Sequence, residues 1–141
     1  MSNVIIYTNS NGGVSTCIPT GEISIEEVLK KDCPQGAIIV DSATLPNQDN
    51  DFYDAWELSG STVSVNIAKA QAIATNQLNA QAKAEATHRA TNSAIGVANK
   101  LDDAAFLALL TTARTAIGAA TTTQAIRDAV KPVSDAIAAN A

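Results

Sequence analysis

The feature that most constrains this chain is a change in the kind of polymer near Ile67. Before it the sequence is varied and holds every aromatic residue except Phe106, both cysteines and every proline except Pro132. After it about a third of the residues are alanine, and most of the rest are Thr, Asn, Gln and small aliphatics. Such a mixture favours helices with thin apolar faces. The fold class expected is therefore α+β: a small N-terminal β-rich head over 1–66, then an alanine-rich α-helical region over 67–141. That division suits an assembly or scaffold protein better than an enzyme.

Within the head, Val4-Ile-Ile-Tyr-Thr8 is β-branched and aromatic, and Asn9-Ser-Asn-Gly-Gly13 is a strong turn signal. Val14-Ser-Thr-Cys-Ile18 alternates like a half-buried strand, so residues 4–18 read as a hairpin. Ser24-Ile-Glu-Glu27 has capping-box spacing and opens a short helix through about Lys31, which Pro34-Gln-Gly36 stops. Ala37-Ile-Ile-Val40 is a third strand candidate, and Asp49-Asn-Asp-Phe-Tyr-Asp54 reads as a single turn or loop. Ala55-Trp-Glu-Leu58 and Thr62-Val-Ser-Val-Asn66, joined by a Ser-Gly-Ser turn, form a second hairpin. The expected core of this unit is Ile5, Tyr7, Ile18, Val28, Ile38, Val40, Phe52 and Trp56.

The helical region reads as three segments. A long helix spans about 67–98, with Ile67, Ala70, Ala74, Leu78, Ala82 and Glu85 on one stripe that begins apolar and fades. Thr87-His-Arg-Ala-Thr-Asn-Ser93 and Gly96 weaken its later part. Asp102 is a good N-cap for a helix over about 103–117, with Leu101 and Phe106 at the hydrophobic-staple positions. Thr121 and Gln124 offer a capping box for a third helix, about 122–137, which Pro132 should break or kink. The last residues, Ala138 to Ala141, are expected to fray. Alanine faces gain little from lying alone in water, which favours packing against one another or another chain.

Charge narrows the partners. Residues 1–66 carry nine acidic and two basic side chains, a net −7, and residues 67–141 carry five acidic and seven basic, a net +2, summing to −5. Phosphate contacts need clustered Lys and Arg, so nucleic acid is not an expected partner. No apolar run approaches the roughly 18 residues of a membrane span, and the N-terminus has no secretory-signal pattern. The expectation is a soluble protein made in the cytosol, with no membrane partner. Cys17 and Cys33 have neither zinc spacing nor a redox-pair motif and read as structural cysteines; whether they pair is a question of geometry.

Little in the sequence points to chemistry, and no catalytic residue, cofactor or metal site is expected. The one histidine, His88, reads as a surface side chain in the polar middle of the long helix. Asp49, Asp51 and Asp54 with Asn47 and Asn50 form the one acidic cluster, but the glycine and closing glutamate of a calcium loop are absent. Gly12-Gly13 has no lysine after it and no strand-to-helix context, so it reads as a hairpin turn. The residues expected to carry packing and interfaces are Phe52, Trp56, Ile73, Leu78, Phe106 and Leu110.

The same segments carry a resemblance. Val4-Ile-Ile-Tyr-Thr8, Val14 through Glu22, Ser24 through Val28, Ala37 through Asp41 and above all Leu45-Pro-Asn-Gln-Asp-Asn-Asp-Phe-Tyr-Asp-Ala-Trp-Glu-Leu58 resemble the opening of small proteins encoded among the tail and virion genes of tailed bacteriophages, the tail-fibre and fibre-assembly group. Val63 through Ala70 leads into a helix as in that group, and Ala116 through Arg127 resembles its usual ending. The likeness covers the head well and the helical region only in pattern. It implies a component of a phage particle or a factor in building one, and it brings no catalytic residues. The chain departs from the group over Ala70 to Ala98, which is mostly alanine and amide where a charged, Arg- and Glu-rich stretch is usual.

Two functions follow as expectations. The first is a non-enzymatic virion structural protein that docks on capsid, neck or tail and self-assembles through its helices as a homo-oligomer, in the manner of coiled coils. The alternative is a tail-fibre or tail assembly chaperone, absent from the mature particle.

Overall fold

A computed structural model describes residues 2–141. The chain has both strands and helices: five strands in two small antiparallel sheets, then three long helices. It divides into two compact units, one ending at Asn66 and the other Ile67–Ala141.

In the first unit β1 (Asn3–Thr8) is the central strand of a three-stranded sheet. Strand β2 (Val14–Cys17) returns beside it through a turn in which Gly12 has φ 81°, a conformation that L side chains resist. Asn9 holds this turn, its Oδ1 accepting the N–H groups of Asn11 and Gly13, each at 3.0 Å. The other neighbour of β1 is β3 (Ile38–Asp41), antiparallel with Ile5 opposite Ile39. Between β2 and β3 runs α1 (Ile25–Asp32), whose N-cap Ser24 accepts the Glu27 N–H at 3.3 Å. After β3 a short 3₁₀ turn (Ser42–Thr44) and a kinked pair of turns (Asn47–Ala55) lead into the hairpin of β4 (Trp56–Ser59) and β5 (Thr62–Val65).

The alternation of β1 gives the sheet two buried faces. Val4 and Ile6 point one way with Val14, and meet Trp56 and Val63 of the second hairpin, with Ile38, Val40, Leu45, Leu58 and Val65 around them. Ile5 points the other way and is 0% exposed. Helix α1, which packs on β1 and β3 and buries Val28, covers that side. One expected core residue sits elsewhere: Ile18 lies beyond the end of β2 and is 75% exposed, whereas Tyr7, Ile38 and Val40 are half-buried.

The second unit is a three-helix bundle of α2 (Ile67–Ala94), α3 (Asp103–Ala119) and α4 (Thr123–Ala139). Gln71, near the start of α2, donates to the carbonyls of Ile117 and Ala120 at the α3–α4 link, both at 3.0 Å. Far along α2, Arg89 meets Asp103 at the start of α3, and Glu85 meets Asn140 just past the end of α4. Helix α3 therefore runs antiparallel to α2, and α4 parallel to it. The apolar interior is Ala70, Ala74 and Leu78 with Phe106, Leu110, Ala113, Ile117, Ile126, Ala129 and Val133.

Three boundaries differ from expectation. Helix α2 stops at Ala94, not near 98, because Gly96 takes φ 77° and the N–H groups of Val97 and Gly96 fold back onto the carbonyls of Asn92 and Ser93. This is the glycine-based C-cap that satisfies the last carbonyls. The cap of α4 is Thr122, whose Oγ1 accepts the Ala125 N–H at 3.0 Å, one residue later than expected. Helix α4 also runs unbroken through Pro132. Pro132 and Asp128 both lie on the exposed side, so the carbonyl that loses its partner faces water while Ala129 and Val133 anchor the buried side.

Candidate functional site

Of the six residues singled out for packing or interfaces, five are buried. Phe52 and Trp56 belong to the head, and Leu78, Phe106 and Leu110 to the bundle; Ile73 is half-buried. Trp56 donates its indole N–H to the buried Asp49 carbonyl at 3.2 Å, and the Tyr53 ring tilts against it at 4.8 Å between centroids. Within the acidic cluster it is thus the Asp49 main chain that anchors the tryptophan. Among the described residues, no three His, Cys, Asp or Glu side chains gather as a metal site would require.

The unexpected feature lies at the far end of the bundle, where α2's buried stripe turns polar. Glu85, Arg89 and Asn92 succeed Leu78 on the same face, so spacing alone drives them inward. Asn140, 5% exposed, is the hub that Glu85 meets directly and Asn92 meets through Asn99. Its Nδ2 donates to Glu85 Oε1 at 2.9 Å and Asn99 Oδ1 at 3.1 Å, and its Oδ1 accepts the Lys100 N–H at 2.8 Å. Its backbone carbonyl takes the His88 Nε2–H at 2.7 Å, since a carbonyl only accepts. Asn99 Oδ1 also accepts from Asn92 Nδ2 at 3.0 Å. Arg89 completes the end: Nε donates to Asp103 Oδ1 at 2.8 Å, Nη2 to the Leu101 carbonyl, and the guanidinium lies 5.3 Å from the Phe106 ring centre.

No buried side-chain nitrogen or oxygen among the described residues lacks a partner. A satisfied network of this kind fixes register and pins both the α2–α3 connection and the residues after α4, because a slip would strand its members without partners. Two expectations are corrected here. His88 is half-buried and hydrogen-bonded, not a free surface side chain. Asn140, read as part of a fraying end, is the centre of the network. The stripe from Ile67 to Glu85 was the signal for it, but an apolar reading treats the arrival of a carboxylate as the end of burial.

Alanine leaves room beside these groups. A groove of about 310 Å³ runs between α2 and α3, walled by Ala82, Ala86, Ala90, Phe106, Leu107 and Leu110. A second, about 440 Å³, lies between α2 and α4 and is lined by Ala84, Glu85, His88, Ser134, Ile137 and Ala138. Leu107 is 58% exposed at the first groove, and Ile95 and Val97 are exposed in the connection that leads into α3. Three large apolar side chains thus meet water at one end of the bundle. Among the described residues, no helix is long and apolar enough to cross a membrane. No family model, curated protein or solved structure matches this chain.

Proposed function

We propose that this chain is a bacteriophage virion structural protein that docks on the capsid, neck or tail and associates with further copies through its helical unit. The phage attribution rests on the resemblance carried by Leu45 through Leu58 and its flanking strands. The observation that supports assembly is the end of the bundle where Leu107 stands exposed in the wall of an alanine-lined groove, with Ile95 and Val97 exposed in the connection that precedes α3. Exposed apolar side chains gathered beside a groove mark contact surfaces more often than solvated ones. Alanine walls let a partner's backbone approach closely with little side-chain entropy to lose. The reaction, in this reading, is burial and shape complementarity, with no bond made or broken.

Quantitative mass spectrometry of gradient-banded phage particles tests it. The expected result is this chain at a fixed ratio to the major capsid protein. Abundance in infected-cell lysate with absence from particles would overturn the reading in favour of an assembly chaperone.

A further inference from the structure

The head holds two thiols that a docking role does not use. Cys17 ends β2 directly opposite Ile5 of β1. Paired residues in a ladder share a face, so Cys17 emerges on the side of the sheet that α1 covers. Cys33 is the C-cap of that same helix. Both are reduced and half-buried, and the two thiols neighbour each other. The end of the covering helix thus comes down on the end of the edge strand with one sulfur from each. The chain has no other cysteine.

We propose that Cys17 and Cys33 form a redox-responsive pair, closing a disulfide that ties the end of α1 to β2 under oxidising conditions and opening in reducing ones. With a small-molecule disulfide as oxidant, one protein thiol loses its proton and attacks, forming a mixed disulfide and expelling one small thiolate. The second protein thiol then loses its proton, attacks the protein sulfur of the mixed disulfide and expels the other. Two protein thiols are oxidised, one small disulfide is reduced to two thiols, and the protons go to the leaving thiolates.

Burial, the Cys17 thiol and the Asp32 carboxylate raise the Cys33 thiol above its ordinary value. Cys33 therefore rests protonated near neutrality, which suits a slow structural closure and not a catalytic thiol. A glutathione-buffered cytosol keeps such a pair open, and an oxidising exterior closes it. The tie encloses α1 and the Pro19–Gly21 connection, and so restricts the unfolded chain more than the folded one.

The full-length protein incubated with oxidised glutathione, then alkylated and mapped without reduction, tests the pair. Lys30 and Lys31 lie between the cysteines, so trypsin separates the two thiols unless a disulfide joins them. The expected result is a monomer lighter by two hydrogens, a linked Cys17–Cys33 peptide, and a melting temperature for the head raised by roughly 5–15 °C. In Cys17→Ser, Cys33 should instead retain a stable glutathione adduct, with the circular dichroism of the folded chain unchanged. Persistent glutathione adducts on both cysteines of the unaltered protein, or disulfide-linked dimers in place of the internal bond, would overturn the inference.

Discussion

Trp56 unites most of what stabilises the head. Its indole is 2% exposed among Val4, Ile6, Val14 and Val63, and its N–H satisfies the buried Asp49 carbonyl. Truncation leaves a cavity and an orphaned acceptor together. Trp56→Ala is expected to cost about 3–5 kcal/mol, and Trp56→Phe about 1–2 kcal/mol because the ring stays while the hydrogen bond goes. Urea titration of the full chain, followed by β-sheet circular dichroism, checks both, and a Trp56→Phe cost near zero would show that the hydrogen bond contributes nothing. Cys33 gives a second prediction at this scale. Its thiol titrates above the ordinary 9.0, so the folded form holds its proton where the unfolded form has begun to lose it. Stability from this group is intact below the ordinary value and declines as pH rises through it. Alkylation of Cys33 should accordingly be slower in the folded protein than in urea, with the gap closing as pH rises past the folded value; equal rates at pH near 8 would contradict it.

At the scale of elements, legibility followed the kind of rule each element obeys. Strands and helix starts rest on local chemistry, so the β1–β2 turn at Gly12, the cap at Ser24 and the cap at Asp102, which takes the Ala105 N–H at 2.7 Å, could all be read from neighbouring residues. The ends of α2 and α4 could not. Gly96 had to be weighed as a stop and not only as a weak helix former, and Pro132 is tolerated because of which side it faces. The polar network was hidden for a different reason. It joins residues far apart in the chain, Glu85 to Asn140 and Arg89 to Asp103, and periodicity sees only one helix at a time. Asn140→Ala tests whether this network holds the bundle end. It strips one donor from the buried Glu85 carboxyl and one from Asn99, and leaves the Lys100 N–H without its acceptor. A cost of about 2–3 kcal/mol is expected, read as an earlier loss of helical circular dichroism in guanidinium. A change within a few tenths would mean that the last residues are loosely held after all.

For the whole molecule, the two units divide labour by composition. The head concentrates four of the five aromatic residues, Tyr7, Phe52, Tyr53 and Trp56, and a net −7, whereas the helical unit carries Phe106, a net +2 and most of the alanine. Each unit is small, and a chain of that size buries a modest share of its surface. Alanine sharpens the limit in the bundle, because thin side chains fill its centre at Ala70, Ala74 and Ala113 but leave grooves at its flanks. A second copy would bury what the bundle itself leaves bare at Leu107. Leu107→Lys separates that role from folding. The side chain is mostly in water, so the substitution should leave the melting curve of the isolated chain within about 0.5 kcal/mol. A charge set at the centre of an apolar contact, by contrast, should weaken association at least tenfold. Sedimentation velocity over a concentration series reads the two effects apart. A folded variant that assembles as strongly as the original would show that the apolar end of the bundle is not the contact surface.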